Sequence, residues 1–156
     1  MKVTLLIVGK TTDAHLDALI GEYVKRLRHY IPFAMQVIPE LKQTKHLTTD
    51  QQKTQEGELI LKAVGPSADL ILLDERGQEY TSMAFATYMQ KRMSSGKDVV
   101  FVIGGPYGFS QAVYDRAAGM VSLSKMTFSH QMVRLFMVEQ LYRAMTILNG
   151  EPYHHE

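Results

Sequence analysis

Short apolar runs alternate with longer amphipathic segments along this chain. Continuous apolar runs are typical of buried strands, and apolar residues three or four positions apart are typical of helices. The runs predict strands at 3–9, 33–38, 68–74, 98–103 and 120–123. The helical spacing predicts helices at 13–30, 49–64, 82–93, a short one after 110, and 131–150. Because strands and helices alternate, we expect an α/β fold with a mostly parallel sheet flanked by helices.

Cap and turn signals mark the ends of these elements. Asp13, Ser82 and Ser110 each stand at the start of a helical segment, where a side-chain oxygen can accept a bond from a backbone N–H of the first turn. The charged and glycine-containing segment 75–78 predicts a turn after the third strand.

Two polar stretches stand apart from the apolar pattern. Residues 40–49 predict a loop, and the sequence does not decide whether it closes over a site. The first half of the second helix, 51–57, is almost entirely polar. We therefore expect this half to project from the body of the protein or to lie over a partner.

The last helix is apolar nearly all the way round. A helix without a clean polar face is buried on more than one side. In a chain this small, the second side is better explained by a second subunit than by more of the same core, so we expect a homodimer with this helix in the interface. The apolar residues are Val133, Leu135, Phe136, Met137, Val138, Leu141, Tyr142, Met145, Ile147 and Leu148.

Composition narrows the class of protein. The chain has 156 residues, 46% hydrophobic and 21% charged, which predicts one globular domain over residues 1–156. It has no cysteine, which fits a cytoplasmic location, no apolar run long enough to span a bilayer, and no metal-ligand spacing. The net charge of +1 means that any nucleic acid must be bound by a local patch.

Two turns near the carboxyl end are the candidate ligand site. Residues 104–108 (Gly-Gly-Pro-Tyr-Gly) follow the fourth strand, and the polar segment 125–131 follows the fifth. The glycine sequence matches neither a P-loop nor a dinucleotide-binding fingerprint, so it is either a tight turn or a place where a ligand approaches the backbone. Ligands of open parallel sheets bind at the carboxyl ends of strands. Asp74, at the end of the third strand, could orient a ligand hydroxyl.

His130 and Arg134 stand one helical turn apart beside these two turns. Residues four positions apart on a helix point to the same side. A histidine can move a proton and an arginine can hold an anion, so the pair is a candidate for chemistry, although a single histidine at a helix start is more often structural.

Several segments taken in order closely resemble the RlmH family (ribosomal large subunit methyltransferase H) of the SPOUT superfamily. The resemblance is carried by residues 102–108, 123–134, 139–144 and 152–154, with smaller matches at 8–10, 22–23 and 53–57. It spans nearly the whole chain, and the ordered combination is far more specific than any one segment.

The resemblance implies a SPOUT-type α/β fold with a C-terminal trefoil knot, a topology that periodicity cannot predict because threaded chains are so rare. It also implies a cytoplasmic homodimer that uses S-adenosyl-L-methionine. The expected reaction is methylation of N3 of a pseudouridine in the helix 69 loop of 23S rRNA, on the assembled 70S ribosome, with no metal and no membrane.

The resemblance also assigns roles to individual residues. For the catalytic roles we rely instead on position beside the two turns, which makes His130 the candidate for handling a proton and Arg143 or Arg134 the candidate for holding RNA phosphate or developing negative charge. Tyr153 and His154 would contact RNA. The expected cofactor-binding residues are Leu73, Gly104, Gly105, Leu123, Ser124, Lys125, Met126, Thr127 and Phe128.

The chain departs from the family pattern at two positions. Ser129 stands where proline is common, and His155 stands where arginine or lysine often follows His154. Two other functions remain open at this point, a SPOUT methyltransferase acting on tRNA and a ribosome-binding factor without catalytic activity.

Overall fold

A computed structural model describes residues 1–155, and within them the chain forms five strands and five α-helices. The strands are β1 (Val3–Val8), β2 (Phe33–Ile38), β3 (Asp69–Glu79), β4 (Val99–Ile103) and β5 (Gly119–Ser122). The helices are α1 (Ala14–Leu27), α2 (Thr49–Ala63), α3 (Ser82–Ser94), α4 (Gln111–Arg116) and α5 (Met132–Leu148). The predicted loop at 40–49 contains one 3-10 turn, Thr44–His46.

The strands form one sheet in the order β2-β1-β4-β3-β5, and every neighbouring pair is parallel. This confirms the predicted α/β fold class. The carboxyl ends of all strands therefore lie at one edge, and β4 and β5 flank β3 there. The chain crosses from β4 past β3 to β5, an order compatible with the trefoil knot that the resemblance implies.

Helices cover both faces of the sheet, which explains why the strands are apolar on both sides. On one face, α1, α3 and α5 pack through residues such as Leu27, Met89 and Leu141. On the other face, α2 and α4 pack through Ile60 and Val113. The polar half of α2 therefore begins beside the carboxyl edge of the sheet instead of projecting freely.

Two predictions about local structure are wrong. Residues 75–78 are not a turn, because β3 continues to Glu79 and pairs with β5 again at Gln78 after a register shift. Residues 75–78 are polar and do not look like a strand in the sequence. They form one because β3 pairs there with β5, which lies more than 40 residues further along the chain. Likewise Thr81, not Ser82, caps α3, with its hydroxyl accepting a bond from the Ala84 N–H at 3.1 Å.

The extension of β3 brings two backbones unusually close at Gly77. A Cβ atom at this position would lie 2.7 Å from backbone atoms of Val121 in β5. Real Cβ atoms essentially never approach other atoms this closely, and a backbone inside a sheet cannot move aside cheaply.

We predict that Gly77→Ala lowers the free energy of unfolding by about 2 kcal/mol or more, because it forces β3 and β5 apart. Urea denaturation measures this. The matched control is Gly21→Ala in α1, where no described residue lies within 4 Å of the new Cβ. That change should stabilise the helix by about 0.5–1 kcal/mol. Equal effects of the two substitutions would contradict the close β3–β5 approach.

Candidate functional site

A cavity of about 1330 Å³ opens at the carboxyl edge of the sheet. Leu73, inside β3, lines it between the ends of β4 and β5. One wall is the glycine turn, residues 104–108, and the opposite wall is the crossing segment, residues 123–131, which connects β5 to α5. The start of α2 also reaches the cavity through Asp50 and Lys53. The two turns singled out in the sequence therefore face each other.

Most of the predicted cofactor-binding residues line this cavity. Lys125 is the one that does not, and it is exposed beside the cavity mouth. This part of the wall therefore combines apolar side chains with backbone-rich turns, whereas the charged lining residues come from α2 and β3. The lining residues from the predicted set are Leu73, Gly104, Gly105, Leu123, Ser124, Met126, Thr127 and Phe128.

Serine hydroxyls form local hydrogen bonds with the backbone of the crossing segment. Ser122 donates to the carbonyl of Ser124 at 2.9 Å, and the Ser124 hydroxyl accepts from the Met126 N–H at 2.9 Å. Ser129, one of the two departures from the family pattern, accepts from the Met132 N–H at 3.0 Å. A proline has no side-chain acceptor, so this chain fixes the start of α5 by a bond that proline cannot make.

Two large apolar side chains of the crossing segment remain accessible. Met126 is 78% exposed, and Phe128 packs its ring 5.1 Å from that of Phe136 on α5. Accessible apolar groups at a cavity wall are suited to enclosing a flat ligand ring.

The side chains of His130 and Arg134 do not share an environment. His130 is exposed and lines the cavity, whereas Arg134 is only 1% exposed. The Arg134 guanidinium donates to the Val8 carbonyl at 2.8 Å, the Thr11 hydroxyl at 3.0 Å and the His130 carbonyl at 2.9 Å. Burial lowers the pKa of Arg134. This geometry favours an anchoring role over direct contact with phosphate.

Arg143, on the second half of α5, forms a separate cluster with Tyr153 and His154 of the tail that follows the helix. Arg143 donates to Glu139 at 2.6 Å, lies 3.0 Å from Nδ1 of His154, and stacks over the Tyr153 ring at 4.7 Å. Burial, with hydrogen bonds to Tyr23 and Glu139, raises the pKa of Tyr153. Nine residues separate Arg134 from Arg143, which is about 14 Å along a helix, and the cluster is outside the described cavity wall.

Asp74 lies on the cavity wall within a small hydrogen-bonded group. It accepts a short bond from the Tyr114 hydroxyl and another from the backbone N–H of Arg76 at 2.8 Å. Burial favours the neutral carboxyl, but these bonds and the Arg76 charge outweigh it and hold the pKa of Asp74 below its usual range. Asp74 is therefore ionised. It lies on the cavity wall, where the sequence analysis predicted that it could orient a ligand hydroxyl.

Glu56 is the residue that the sequence argument missed. It lies within the matching segment 53–57 but is not among the predicted site residues, and in the structure Glu56 of α2 accepts a bond from the Gly105 N–H at 2.9 Å. Burial raises the pKa of Glu56, although the Gly105 N–H and the charge of His130 oppose that shift. The available signal was its neighbour Gly57, because a glycine inside a helix often marks a close contact.

Neither a metal-binding cluster nor a membrane-spanning helix is found among residues 1–155. No group of three or more histidine or acidic side chains there is arranged to hold a metal ion. None of the helices in this part of the chain combines the length and apolar character needed to cross a bilayer.

Comparison with known proteins gives a consistent result. A family model described as a predicted SPOUT methyltransferase matches residues 1–154. Relatives named ribosomal RNA large subunit methyltransferase H match over the whole of both chains. The proteins of Parabacteroides distasonis, Bacteroides fragilis and Flavobacterium johnsoniae are 60%, 59% and 55% identical to this chain over 157 aligned residues.

We predict that Arg134→Ala lowers the free energy of unfolding by about 2 kcal/mol or more, because it leaves three acceptors without their donor. The control is Lys91→Ala on the exposed side of α3, which should change stability by less than about 0.5 kcal/mol. Urea denaturation compares the two variants. An Arg134→Ala protein as stable as wild type would exclude the anchoring role.

Proposed function

Because this chain belongs to the SPOUT methyltransferase family, and within it to the ribosomal RNA large subunit methyltransferase H family, we propose that it methylates a pseudouridine of 23S rRNA. The methyl acceptor is N3 of a pseudouridine in the helix 69 loop, and the donor is S-adenosyl-L-methionine. The chain acts in the cytoplasm as a single domain, and its substrate is the assembled 70S ribosome.

The size of the cavity is the observation that carries this proposal. Pockets for small molecules usually measure about 300–1000 Å³. The cavity of about 1330 Å³ leaves room for a donor and for a nucleotide beside it.

The residues present fit the proposed cofactor. Leu123, Met126 and Phe128 supply apolar walls for an adenine ring, and the backbone of the crossing segment supplies hydrogen bonds to its edge. Gly104 and Gly105 line the same cavity and would lie against the sugar and methionine parts. When bound, the cofactor supplies a methyl group that its positive sulfur has already activated.

The residues of this chain have two further tasks, positioning the acceptor and removing its proton. Pseudouridine N3 is a weakly acidic imide nitrogen, so its proton must leave when the new N–C bond forms. His130 is the titratable side chain of the crossing segment that lines the cavity, and we assign the proton to it. Arg143 holds RNA phosphate or the developing negative charge, Tyr153 and His154 contact RNA, and Arg134 keeps the His130 backbone in place.

A homodimer accounts for the distance between the Arg143 cluster and the cavity. Phe128, Met132 and Phe136 leave an exposed apolar strip at the start of α5. In a two-fold interface the same patch meets itself, so paired antiparallel α5 helices would bring the second half of one beside the first half of the other. Each cavity would then be completed by the partner's Arg143 cluster.

The ribosome supplies the rest of the binding surface. A chain with a net charge of +1 attracts RNA weakly, and that attraction falls as salt rises. Contacts to an assembled particle offset this deficit, so the enzyme should bind an isolated stem-loop far less tightly than 70S ribosomes.

The function is tested by methyl transfer from labelled S-adenosyl-L-methionine to 70S ribosomes that lack the modification. We expect one label per ribosome on pseudouridine in the helix 69 loop, located by mass mapping of the rRNA. Label on tRNA would support the alternative SPOUT substrate. Binding to ribosomes without cofactor binding or transfer would support a non-catalytic factor.

His130→Ala in the same assay tests the proposed proton transfer. General acid–base groups contribute about 10²–10⁴-fold, so we expect turnover to fall by about 10²-fold or more near neutral pH. Cofactor affinity should stay close to wild type, because the crossing segment is held by other bonds. Full turnover of this variant across pH 6–9 would exclude the role.

Dimerisation is tested by size-exclusion chromatography with light scattering. The wild-type chain should run as a dimer at micromolar concentration, and Phe136→Glu should shift it towards the monomer because a charge cannot be buried unpaired in an apolar interface. The control is Leu19→Glu, which places the same charge on an exposed apolar residue of α1. A monomeric wild type would exclude the interface.

A further inference from the structure

Two neighbouring residues of helix α2 contact the segment that contains the glycine turn. Glu56 accepts a hydrogen bond from the Gly105 N–H at 2.9 Å, inside the turn. Gly57, the next residue, is buried against Ser110, the residue that caps α4 just after the turn. One short stretch of α2, which packs on the opposite face of the sheet from α5, therefore contacts the chain both inside the turn and just after it.

The fit between α2 and this segment is close. A Cβ atom on Gly57 would lie 2.4 Å from the Ser110 hydroxyl oxygen, and one on Gly105 would lie 2.5 Å from a carboxylate oxygen of Glu56. The two glycines thus let the helix and the turn approach each other, and Glu56 fills the space behind Gly105. A turn packed this tightly can transmit a change at Glu56 to the cavity.

The charge of Glu56 calls for an explanation beyond packing. Half-burying a carboxylate costs free energy, whereas glutamine could accept the same bond without that cost. The carboxylate makes the bond to Gly105 charge-assisted, and such bonds are roughly twice as strong as neutral ones. His130, which lines the cavity, lies close enough for its charge to favour the ionised form of Glu56.

From these contacts we infer that Glu56 is a positioning residue, which holds the glycine turn in the conformation that binds the cofactor. The inference rests on the proposed function, because it concerns the same cavity. Glu56 acts through the Gly105 backbone and does not touch the reacting atoms. Its loss should therefore weaken cofactor binding more than it slows the chemical step at saturating cofactor.

The test measures the dissociation constant of S-adenosyl-L-methionine by calorimetry and methyl transfer to 70S ribosomes with varied cofactor. Glu56→Ala should raise the Kd and the cofactor KM about tenfold, as expected for loss of one charge-assisted bond that orders the site. The kcat should stay within about twofold, since the reacting groups are intact. Glu56→Gln should recover much of the affinity, because its amide oxygen can still accept from Gly105.

The control is Glu58→Ala, which removes the same charge from an exposed position two residues further along α2. It should leave the Kd, KM and kcat unchanged. Thermal unfolding of each variant establishes that it is folded. Should Glu56→Ala not fold, Glu56→Asp replaces it, because the shorter side chain keeps the charge but cannot span the same distance to Gly105.

Two results would overturn the inference. One is a cofactor Kd of Glu56→Ala equal to that of wild type. The other is a collapse of kcat with Kd unchanged and no recovery in Glu56→Gln, which would make Glu56 a group that acts on the substrate. A wild-type protein that does not bind S-adenosyl-L-methionine at all would instead contradict the proposed function, so the two failures are distinguishable.

Discussion

The buried guanidinium of Arg134 is the interaction on which the shape of the site depends. It joins the end of β1, through the Val8 carbonyl, to the backbone of His130 at the end of the crossing segment. All three of its acceptors are uncharged, so no carboxylate bonded to it offsets the free energy of burying the cation. The bonds connect the end of the crossing segment to the edge of the sheet.

The parallel sheet explains why two backbone turns can form one cavity. Since β4 and β5 flank β3, the turns that follow them leave the sheet on either side of Leu73. Each turn is then held from outside, the crossing segment by Arg134 and the glycine turn by Glu56. Both supports place a charged side chain where it is partly or wholly buried. Preorganising a site in this way trades stability for a fixed geometry.

Much of the fold could be predicted from the sequence, because strands buried on both faces must be apolar and helices between them must carry an apolar stripe. The extension of β3 through Gly77 could not, since polar residues there pair only with a strand that lies far along the chain. The spacing of His130 and Arg134 predicted that both side chains lie on the same side of the helix. It did not predict that Arg134 is buried while His130 is exposed. The contact of Glu56 with Gly105 spans 49 positions and depends on how α2 packs, which local patterns do not encode.

The central claim is that the glycine turn and the crossing segment together form the cofactor site. A crystal structure of the protein soaked with S-adenosyl-L-methionine tests it most directly. The account predicts electron density for the adenine ring between Leu123, Met126 and Phe128, with the remainder of the molecule against Gly104 and Gly105. Density elsewhere on the protein, or none at a cofactor concentration that saturates binding in solution, would contradict it.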